Sequence, residues 1–158
     1  MYLCAMKVFN EIERKFLLKR FPRLEKIDNV FQIKQWYHSD GFRYRFQVDV
    51  PKNEISIFKT KKTNISKGIN REEEITLTQQ EFNELNLTNS IHIDKTRTVV
   101  KYKKKRFEID KYEGMNVIIL EVELNDINDK IEFPKYIEKE ILYEVTGIKE
   151  FSNKKLAE

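Results

Sequence analysis

Two glutamates and a lysine alternate near the amino terminus of this chain, as Glu11, Glu13 and Lys15. In a β-strand, residues two apart point to the same face, so these three side chains would share one face, opposite Ile12 and Phe16. Two acids and a base at this spacing suit a water-filled cavity that binds a cation and an anion together. A solvated strand or helix face would carry the same charges, so the segment alone does not decide between the two.

The same spacing recurs along the chain, mostly in segments where charged and apolar residues alternate. The charged pairs are Glu11/Glu13, Arg43/Arg45, Lys59/Lys61, Glu72/Glu74, Lys95/Arg97, Glu108/Asp110 and Glu121/Glu123. Burying so many charges without partners would cost roughly several kcal/mol of folding free energy for each charge. The charged side chains must therefore neutralise one another, hold water or bind ions. The repetition predicts a closed or strongly curved sheet with a charged interior.

The residue types in these pairs indicate which ions would bind. Carboxylates are the ligands that hard cations such as Mg²⁺ and Mn²⁺ prefer. Arginine and lysine bind phosphate, and arginine does so with two parallel hydrogen bonds. A cavity that carries both kinds of side chain suits the metal complex of a polyphosphate.

Alternation and turn residues predict the strands that would position the pairs. Strands are predicted over 30–38, 42–50 and 54–61, with the last two joined as a hairpin, and a polar loop is predicted over 62–70. In the 54–61 strand, Lys59 and Lys61 occupy odd-numbered positions, as do Ile55 and Ile57, so all four would share one face. Alternation therefore does not decide which face they occupy.

Three short helices complete the predicted elements. Thr78 and Glu81 have the spacing of a capping box, which predicts that a helix begins there. A second helix is predicted over 126–133, ended by Pro134. Phe151 and Leu156 indicate a third helix near the carboxyl terminus.

Composition narrows the class of protein. The chain has 158 residues, which fits one domain over 1–158, with residues 1–5 an upstream extension if Met6 is the true start. The net charge of +4 is modest for a chain with 35% charged residues, which argues against a simple nucleic-acid-binding protein. Cys4 is the only cysteine and no apolar run approaches a membrane span, so we expect a cytoplasmic protein that does not bind membranes.

The motifs, taken in order, resemble the CYTH-domain proteins, the triphosphate tunnel metalloenzyme family. The segment from Glu11 to Leu17 is similar to the family's E-x-E-x-K signature, and the resemblance spans nearly the whole chain. The series continues with Gln35 and Tyr37, Arg43-Tyr44-Arg45, the lysine strand, Glu72 and Glu74, Lys95-Thr96-Arg97, Glu108 with Asp110, Glu121 with Glu123, and Glu144-Val145-Thr146. The resemblance implies an α+β fold: a closed antiparallel eight-stranded β-barrel forming a tunnel with a polar charged interior and short helices packed outside.

The resemblance also implies an activity, the metal-dependent hydrolysis of a triphosphate, with Mg²⁺ or Mn²⁺ as cofactor. On this interpretation the metal ligands are Glu11, Glu13, Glu121 and Glu123. The triphosphate is bound by Lys15, Arg43, Arg45, Lys59, Lys61, Lys95 and Arg97. The residues that bind a second metal or position the attacking water are Glu72, Glu74 and Asp110.

The chain departs from the family pattern at a few positions. Trp36 stands between Gln35 and Tyr37 where a glycine is common, which predicts a narrower tunnel wall there. The loop after Lys61 is longer than usual. Arg71 lies directly before Glu72 rather than one residue earlier.

Inorganic triphosphate, split into diphosphate and phosphate, is the expected substrate, because no residue beyond Trp36 and Tyr37 is identifiable as a reader of a base. The alternatives are an RNA 5′-triphosphatase or nucleoside triphosphatase, a class IV-type adenylyl cyclase, and a non-catalytic polyphosphate-binding module. In the RNA case the 5′ end of an RNA would be the partner, and the basic run over 101–106 would guide it. The sequence is compatible with a monomer or a homodimer.

Overall fold

Long strands of alternating residues make up most of residues 5–158, the part of the chain that the computed structural model describes. The predicted extension over residues 1–5 lies almost wholly outside it. The strands are β1 (Met6–Leu18), β2 (Asn29–Tyr37), β3 (Arg43–Asp49), β4 (Glu54–Ser66), β5 (Ile69–Thr76), β6 (Ile91–Tyr102), β7 (Lys105–Tyr112), β8 (Ile118–Glu123) and β9 (Ile141–Glu144). The helices are α1 (Gln79–Asn83), α2 (Lys135–Glu138) and α3 (Asn153–Ala157), with a 3₁₀ turn over Lys149–Phe151.

The first strand closes the sheet by changing partners along its length. The antiparallel order runs β5-β4-β3-β2-β6-β7-β8-β1. The first half of β1, from Met6 to Ile12, pairs with β5, and the second half, from Glu13 to Leu17, pairs with β8. The eight strands therefore form the closed barrel that was predicted, and β9 adds a short strand beside the end of β1.

Strand alternation sends apolar side chains to the outer face of the barrel, where the chain covers them. Phe16, Phe107 and Leu120 point outward and belong to one buried cluster. Ile137 of α2 lies in the same cluster, and the ring of Phe133 packs edge-on against Phe16 with centroids 5.1 Å apart. This core lies between the barrel wall and the segment around α2, which leaves the barrel interior free for polar residues.

Helix α1 covers another part of the outer face. The Thr78–Glu81 capping box is confirmed, with each side chain accepting a backbone hydrogen bond from the other residue. Phe82 in this helix packs against Trp36 and Phe46, with ring centroids 5.5 and 5.6 Å away. Trp36 therefore points away from the interior, and the expectation that it narrows the tunnel wall is wrong.

Helix α3 closes one end of the barrel instead of packing on its outer face. Leu156 and Ala157 pack against Ile93, Tyr112 and Ile119, which point into the barrel. The interior is therefore a cup with an apolar floor, and its charged part is reached from the opposite end.

No helix in residues 5–158 is long and apolar enough to span a membrane.

The predicted polar loop over 62–70 is wrong. Strand β4 continues to Ser66, Lys67 and Gly68 form the turn, and β5 begins at Ile69. Polar residues fill this part of β4 because most of it is exposed to solvent. Composition suggested a loop, yet the backbone pairs as an extended hairpin.

The predicted helix over 126–133 is also wrong. The carboxylate of Asp129 accepts the backbone N–H groups of Asn125 and Asp126, and the carboxylate of Asp126 accepts that of Asn128. Short acidic side chains that bond to nearby backbone groups stabilise turns in competition with a helix. Pro134 precedes helix α2 at its N-cap position and does not end a helix.

Candidate active site

A charged cavity of about 250 Å³ occupies the barrel interior above the apolar floor. Within the described residues, seven carboxylates and five cationic side chains line it, so acids outnumber bases. Most of these residues come from alternating positions on neighbouring strands. The lining charges are Glu11, Glu13, Glu72, Glu74, Glu108, Glu121, Glu123, Arg43, Arg45, Lys62, Arg97 and Arg106.

Lys15 lies between the carboxylates of Glu13 and Glu121. Its Nζ is 3.6 Å from Glu13 Oε1 and 3.5 Å from Glu121 Oε1. Burial and the neighbouring Glu121 raise the pKa of Glu13 to about 8. Burial also acts on Glu121, but Lys15 and Arg97 hold the pKa of that carboxyl well below its usual value. The two acids therefore differ in charge at neutral pH: Glu121 is ionised and Glu13 is largely protonated.

Lys62 is the lysine of β4 that reaches the cavity. Its Nζ lies 2.6 Å from Glu11 Oε1, 3.7 Å from Glu13 Oε1 and 3.6 Å from Glu72 Oε1. Burial opposes its charge, but the carboxylates of Glu13 and Glu11 raise its pKa above the usual value. Burial also acts on Glu11, whose pKa is nevertheless lowered by Lys62.

Lys59 and Lys61 lie on the outer face, so the prediction that they line the cavity is wrong. The Nζ of Lys59 is 4.3 Å from the centre of the Phe42 ring, and Lys61 is exposed, opposite Glu73 of β5. A strand reverses its faces with a shift of one residue, and the inward series is Phe58, Thr60 and Lys62. Continuing the alternation beyond Lys61 would have identified Lys62.

Arg43 and Arg45 lie side by side on the wall contributed by β3. The Nε of Arg45 donates to Gln35 Oε1 at 2.8 Å, and Arg43 Nη2 is 3.9 Å from Glu72 Oε1. Arg43 Nε has no hydrogen-bond partner within residues 5–158. Burial and the adjacent Arg43 lower the pKa of Arg45 to about 10. Two guanidinium groups held together without a bonded carboxylate form a site for an anion.

A second set of charges is satisfied by ion pairs inside the barrel. Asp110 accepts from Lys95 Nζ at 2.7 Å and from Arg97 Nε and Nη2, both at 2.7 Å. Arg97 also donates to Glu108 at 3.0 Å and to Glu121 at 3.2 Å. Lys95 and Asp110 are almost completely buried and do not line the cavity. Both oxygens of Asp110 accept hydrogen bonds from buried cations and neither faces the cavity, so its contacts position Lys95 and Arg97.

Residues near the open end were in part missed by the sequence analysis. Arg106 Nε lies 3.1 Å from Glu108 Oε2 and 3.8 Å from Glu123 Oε1. The side chain of Glu123 is 51% exposed, and burial together with Glu108 raises its pKa. The sequence analysis had already paired Glu108 with Asp110, and stepping back two residues from Glu108 would have identified Arg106 as an inward residue.

Three phenylalanines also line the cavity, on strands where only charges were expected to matter. They are Phe9, Phe31 and Phe58, and Gln47 lies beside them on the wall. Each phenylalanine is an even number of residues from the inward charged or polar residues on its strand. This alternation could have identified all three as inward residues from the sequence. The sequence analysis therefore left three aromatic residues out of the lining.

The carboxylates offer oxygen donors that suit a hard cation. Within residues 5–158 no three acidic, histidine or cysteine side chains are already gathered as a metal cluster, because Lys15 and Lys62 lie between the acids. Glu72 Oε1 and Glu121 Oε1 are buried without a hydrogen-bond partner. Buried carboxylate oxygens without a donor favour a cation, so these residues fit Mg²⁺ or Mn²⁺.

Comparison with known proteins supports the fold. Two crystal structures of the protein NE1496, one of them described as an inorganic triphosphatase, are 27% and 26% identical to this chain, with a TM-score of 0.58 for each. Both cover 93% of this chain, and the matches cover 97% and 93% of those chains.

More distant structures share the fold. A proposed adenylate cyclase from Bacillus halodurans is 13% identical with a TM-score of 0.52, and the match covers 84% of this chain and 97% of that one. No family model and no curated protein matches the sequence. These matches support a CYTH-type barrel fold for the chain.

Proposed function

We propose that this chain hydrolyses a phosphoanhydride bond of a triphosphate with the help of Mg²⁺ or Mn²⁺. The smallest substrate is inorganic triphosphate, which is split into diphosphate and phosphate. The observation that carries the proposal is the pair Arg43 and Arg45 in the same cavity as the carboxylates. In the described structure neither arginine donates a hydrogen bond to a carboxylate, and Arg43 Nη2 lies 3.9 Å from Glu72. The similarity to NE1496, described as an inorganic triphosphatase, supports the same reaction.

Acids within the cavity explain why the substrate would need a cation. Even with Glu13 protonated, ionised carboxylates such as those of Glu11 and Glu121 would oppose a free polyanion. Glu11, Glu13, Glu121 and Glu123 are the residues that would hold the metal ion. When bound, the ion offsets the charge of the phosphate oxygens and polarises the phosphorus atom. Because the pKa of Glu13 is about 8, binding there would release a proton.

The cationic residues bind and orient the triphosphate. Arg43 and Arg45 present two guanidinium groups to its non-bridging oxygens, and Lys62 adds an ammonium group close to Glu11. Lys15 supplies a further positive charge between Glu13 and Glu121. Phosphoryl transfer depends mainly on positioning and on compensating the charge of the equatorial oxygens, and these groups provide both.

The attacking nucleophile is a water molecule. Its oxygen forms a bond to the terminal phosphorus, the bond from that phosphorus to the bridging oxygen breaks, and the electron pair remains on the diphosphate. Burial raises the pKa of Glu72, although Arg43 opposes this, and Glu72 Oε1 has no hydrogen-bond partner in the described structure. Glu72 is therefore suited to orient the water and accept its proton. Glu74 lies two residues along β5, nearer the open end. Asp110 contributes by holding Lys95 and Arg97 in place.

The test measures phosphate and diphosphate released from inorganic triphosphate with Mg²⁺ or Mn²⁺ and with EDTA. Arg43→Gln should lower kcat/KM by about a hundredfold, because it removes one donor to the developing charge. Arg71→Gln is the matched control, since Arg71 pairs with Glu73 on the outer face at 3.4 Å. Full turnover in EDTA, equal losses in both variants, or binding of triphosphate without release of phosphate would each overturn the proposal.

A further inference from the structure

Three phenylalanines interrupt the ionic lining of the cavity. Phe9 lies on β1, Phe31 on β2 and Phe58 on β4, and each is half-buried and in contact with the cavity. Placing apolar rings at inward positions of a charged barrel has no benefit for the binding of phosphate or a metal ion. Their position therefore requires another explanation.

The three rings occupy one level of the barrel, nearer the open end than the arginine pair. The strands are staggered, so residues at one level are not direct register partners. Following the registers around the barrel with this stagger places Phe9, Phe31 and Phe58 at the same height. Glu11 and Arg45 lie at the next level toward the floor, two residues or about 7 Å along a strand. We call the three rings the phenylalanine collar.

The collar is not part of the packing that holds the fold together. Neither of the two buried apolar clusters includes its members. Within residues 5–158, no ring–ring contact joins them to one another or to a further ring, whereas Phe82 and Phe107 each pack against two rings. Phe9 has the ammonium group of Lys7 5.2 Å from its ring centre. The ring faces are therefore not occupied by other aromatic rings.

We infer that the phenylalanine collar binds an aromatic base attached to the outer end of the triphosphate, so that nucleoside triphosphates are substrates. The inference rests on the proposed function. The apolar floor at α3 closes one end of the barrel, so a substituent on the triphosphate must point toward the open end, where the collar lies. Base–aromatic stacking is worth about five- to a hundredfold in affinity per base.

Polar groups of the same level suit a nucleoside as well. Gln47 and Glu74 line the cavity beside the collar, and the side chain of neither makes a hydrogen bond or ion pair in the described part of the chain. A free amide and a free carboxylate offer donors and acceptors to a base edge or to ribose hydroxyls. A free nucleotide and the 5′ end of an RNA share this chemistry, and the experiment separates them.

The experiment compares kcat/KM for inorganic triphosphate, ATP and a short 5′-triphosphorylated RNA. Phe58→Ala and Phe31→Ala should lower kcat/KM for ATP at least fivefold and leave that for inorganic triphosphate within about twofold. Phe21→Ala is the matched control, because Phe21 is 37% exposed and does not line the cavity. Thermal unfolding checks each variant. If an alanine variant does not fold, Phe58→Leu replaces it, since leucine keeps apolar bulk but offers no ring to stack.

The possible outcomes separate the two proposals. If the native protein releases phosphate from none of the three substrates, the proposed function fails. If it hydrolyses inorganic triphosphate but the collar variants change ATP and inorganic triphosphate turnover equally, or change neither, the collar inference is overturned. A collar-dependent preference for ATP supports a free nucleotide, and one for the RNA supports a 5′ end.

Discussion

The ammonium group of Lys62 lies 2.6 Å from the carboxylate of Glu11, although β5 separates their strands in the barrel wall. The same ammonium is within 3.7 Å of Glu13 and 3.6 Å of Glu72, so one cation contacts three acids. Its side chain remains 32% exposed toward the cavity. Lys62 is therefore placed to exchange a carboxylate partner for a phosphate oxygen.

Replacing this lysine tests its role. Lys62→Gln should lower kcat/KM for inorganic triphosphate by about a hundredfold, because the charge that would compensate phosphate oxygens is lost. Lys61→Gln, the adjacent lysine on the outer face, should stay within about twofold. A loss confined to Lys61→Gln would contradict the register of β4.

The raised pKa of Glu13 predicts a gain in stability when its charge is removed. An acid whose pKa rises from 4.5 to about 8 on folding binds its proton more tightly in the folded state, so stability falls across that interval and stays low above it. In EDTA, Glu13→Gln should raise the Tm above about pH 8 and change it little below about pH 4.5. Glu73→Gln, on the outer face, is the control. A lower Tm for Glu13→Gln at the higher pH would refute this.

Asp110 is predicted to stabilise the folded state. Asp110→Ala leaves Lys95 and Arg97 buried without their main partner, and breaking such a buried set costs about 3–5 kcal/mol. Urea denaturation should show this loss, while Glu113→Ala, at an exposed position, should be close to neutral. An unchanged free energy of unfolding together with lost turnover would instead make Asp110 a catalytic residue.

Gly68 at the turn of the β4–β5 hairpin is predicted to tolerate no side chain. Its φ is +77°, and a Cβ there would lie 2.5 Å from Ile127 Cδ1 and 2.8 Å from the carbonyl oxygen of Glu13. Gly68→Ala should therefore combine backbone strain with a displacement next to Glu13, and lower the free energy of unfolding by about 2–4 kcal/mol.

Gly114→Ala measures the cost of backbone strain without added steric contacts. Gly114 has a φ of +72°, and a Cβ added there would meet no atom within 4 Å, so only strain of about 1 kcal/mol should remain. Equal losses in the two variants, measured by urea denaturation, would show that the contacts around Gly68 do not matter.

The barrel was predictable because its strands alternate strictly. The spacing of Glu11 and Glu13, and of Arg43 and Arg45, defined inward faces that the structure confirms. Where apolar residues mark only the outer face, as around Phe16, the alternation is unambiguous. The repeated charged pairs indicated a closed or strongly curved sheet, and the family resemblance then supplied the eight-stranded barrel.

The errors have physical causes that local patterns do not show. Ile57 is buried on the outer face and Phe58 lines the cavity, so apolar residues on both faces of β4 hid where Lys59 points. The burial of Asp110 inside the barrel depends on its contacts with Lys95 and Arg97 across strands. A sequence pattern reports the face of a residue, but not which neighbours have already neutralised its charge.

Because α3 closes one end of the barrel, substrate would enter and products would leave through the opposite end. A chain of phosphates can enter only end first, so the reaction would remove terminal groups and would not cut within a long polymer whose ends are blocked. The two products would then lie in single file, with the released phosphate nearer the floor and the longer fragment nearer the entrance. The longer fragment has to depart first, and at high concentration it would therefore trap the phosphate behind it.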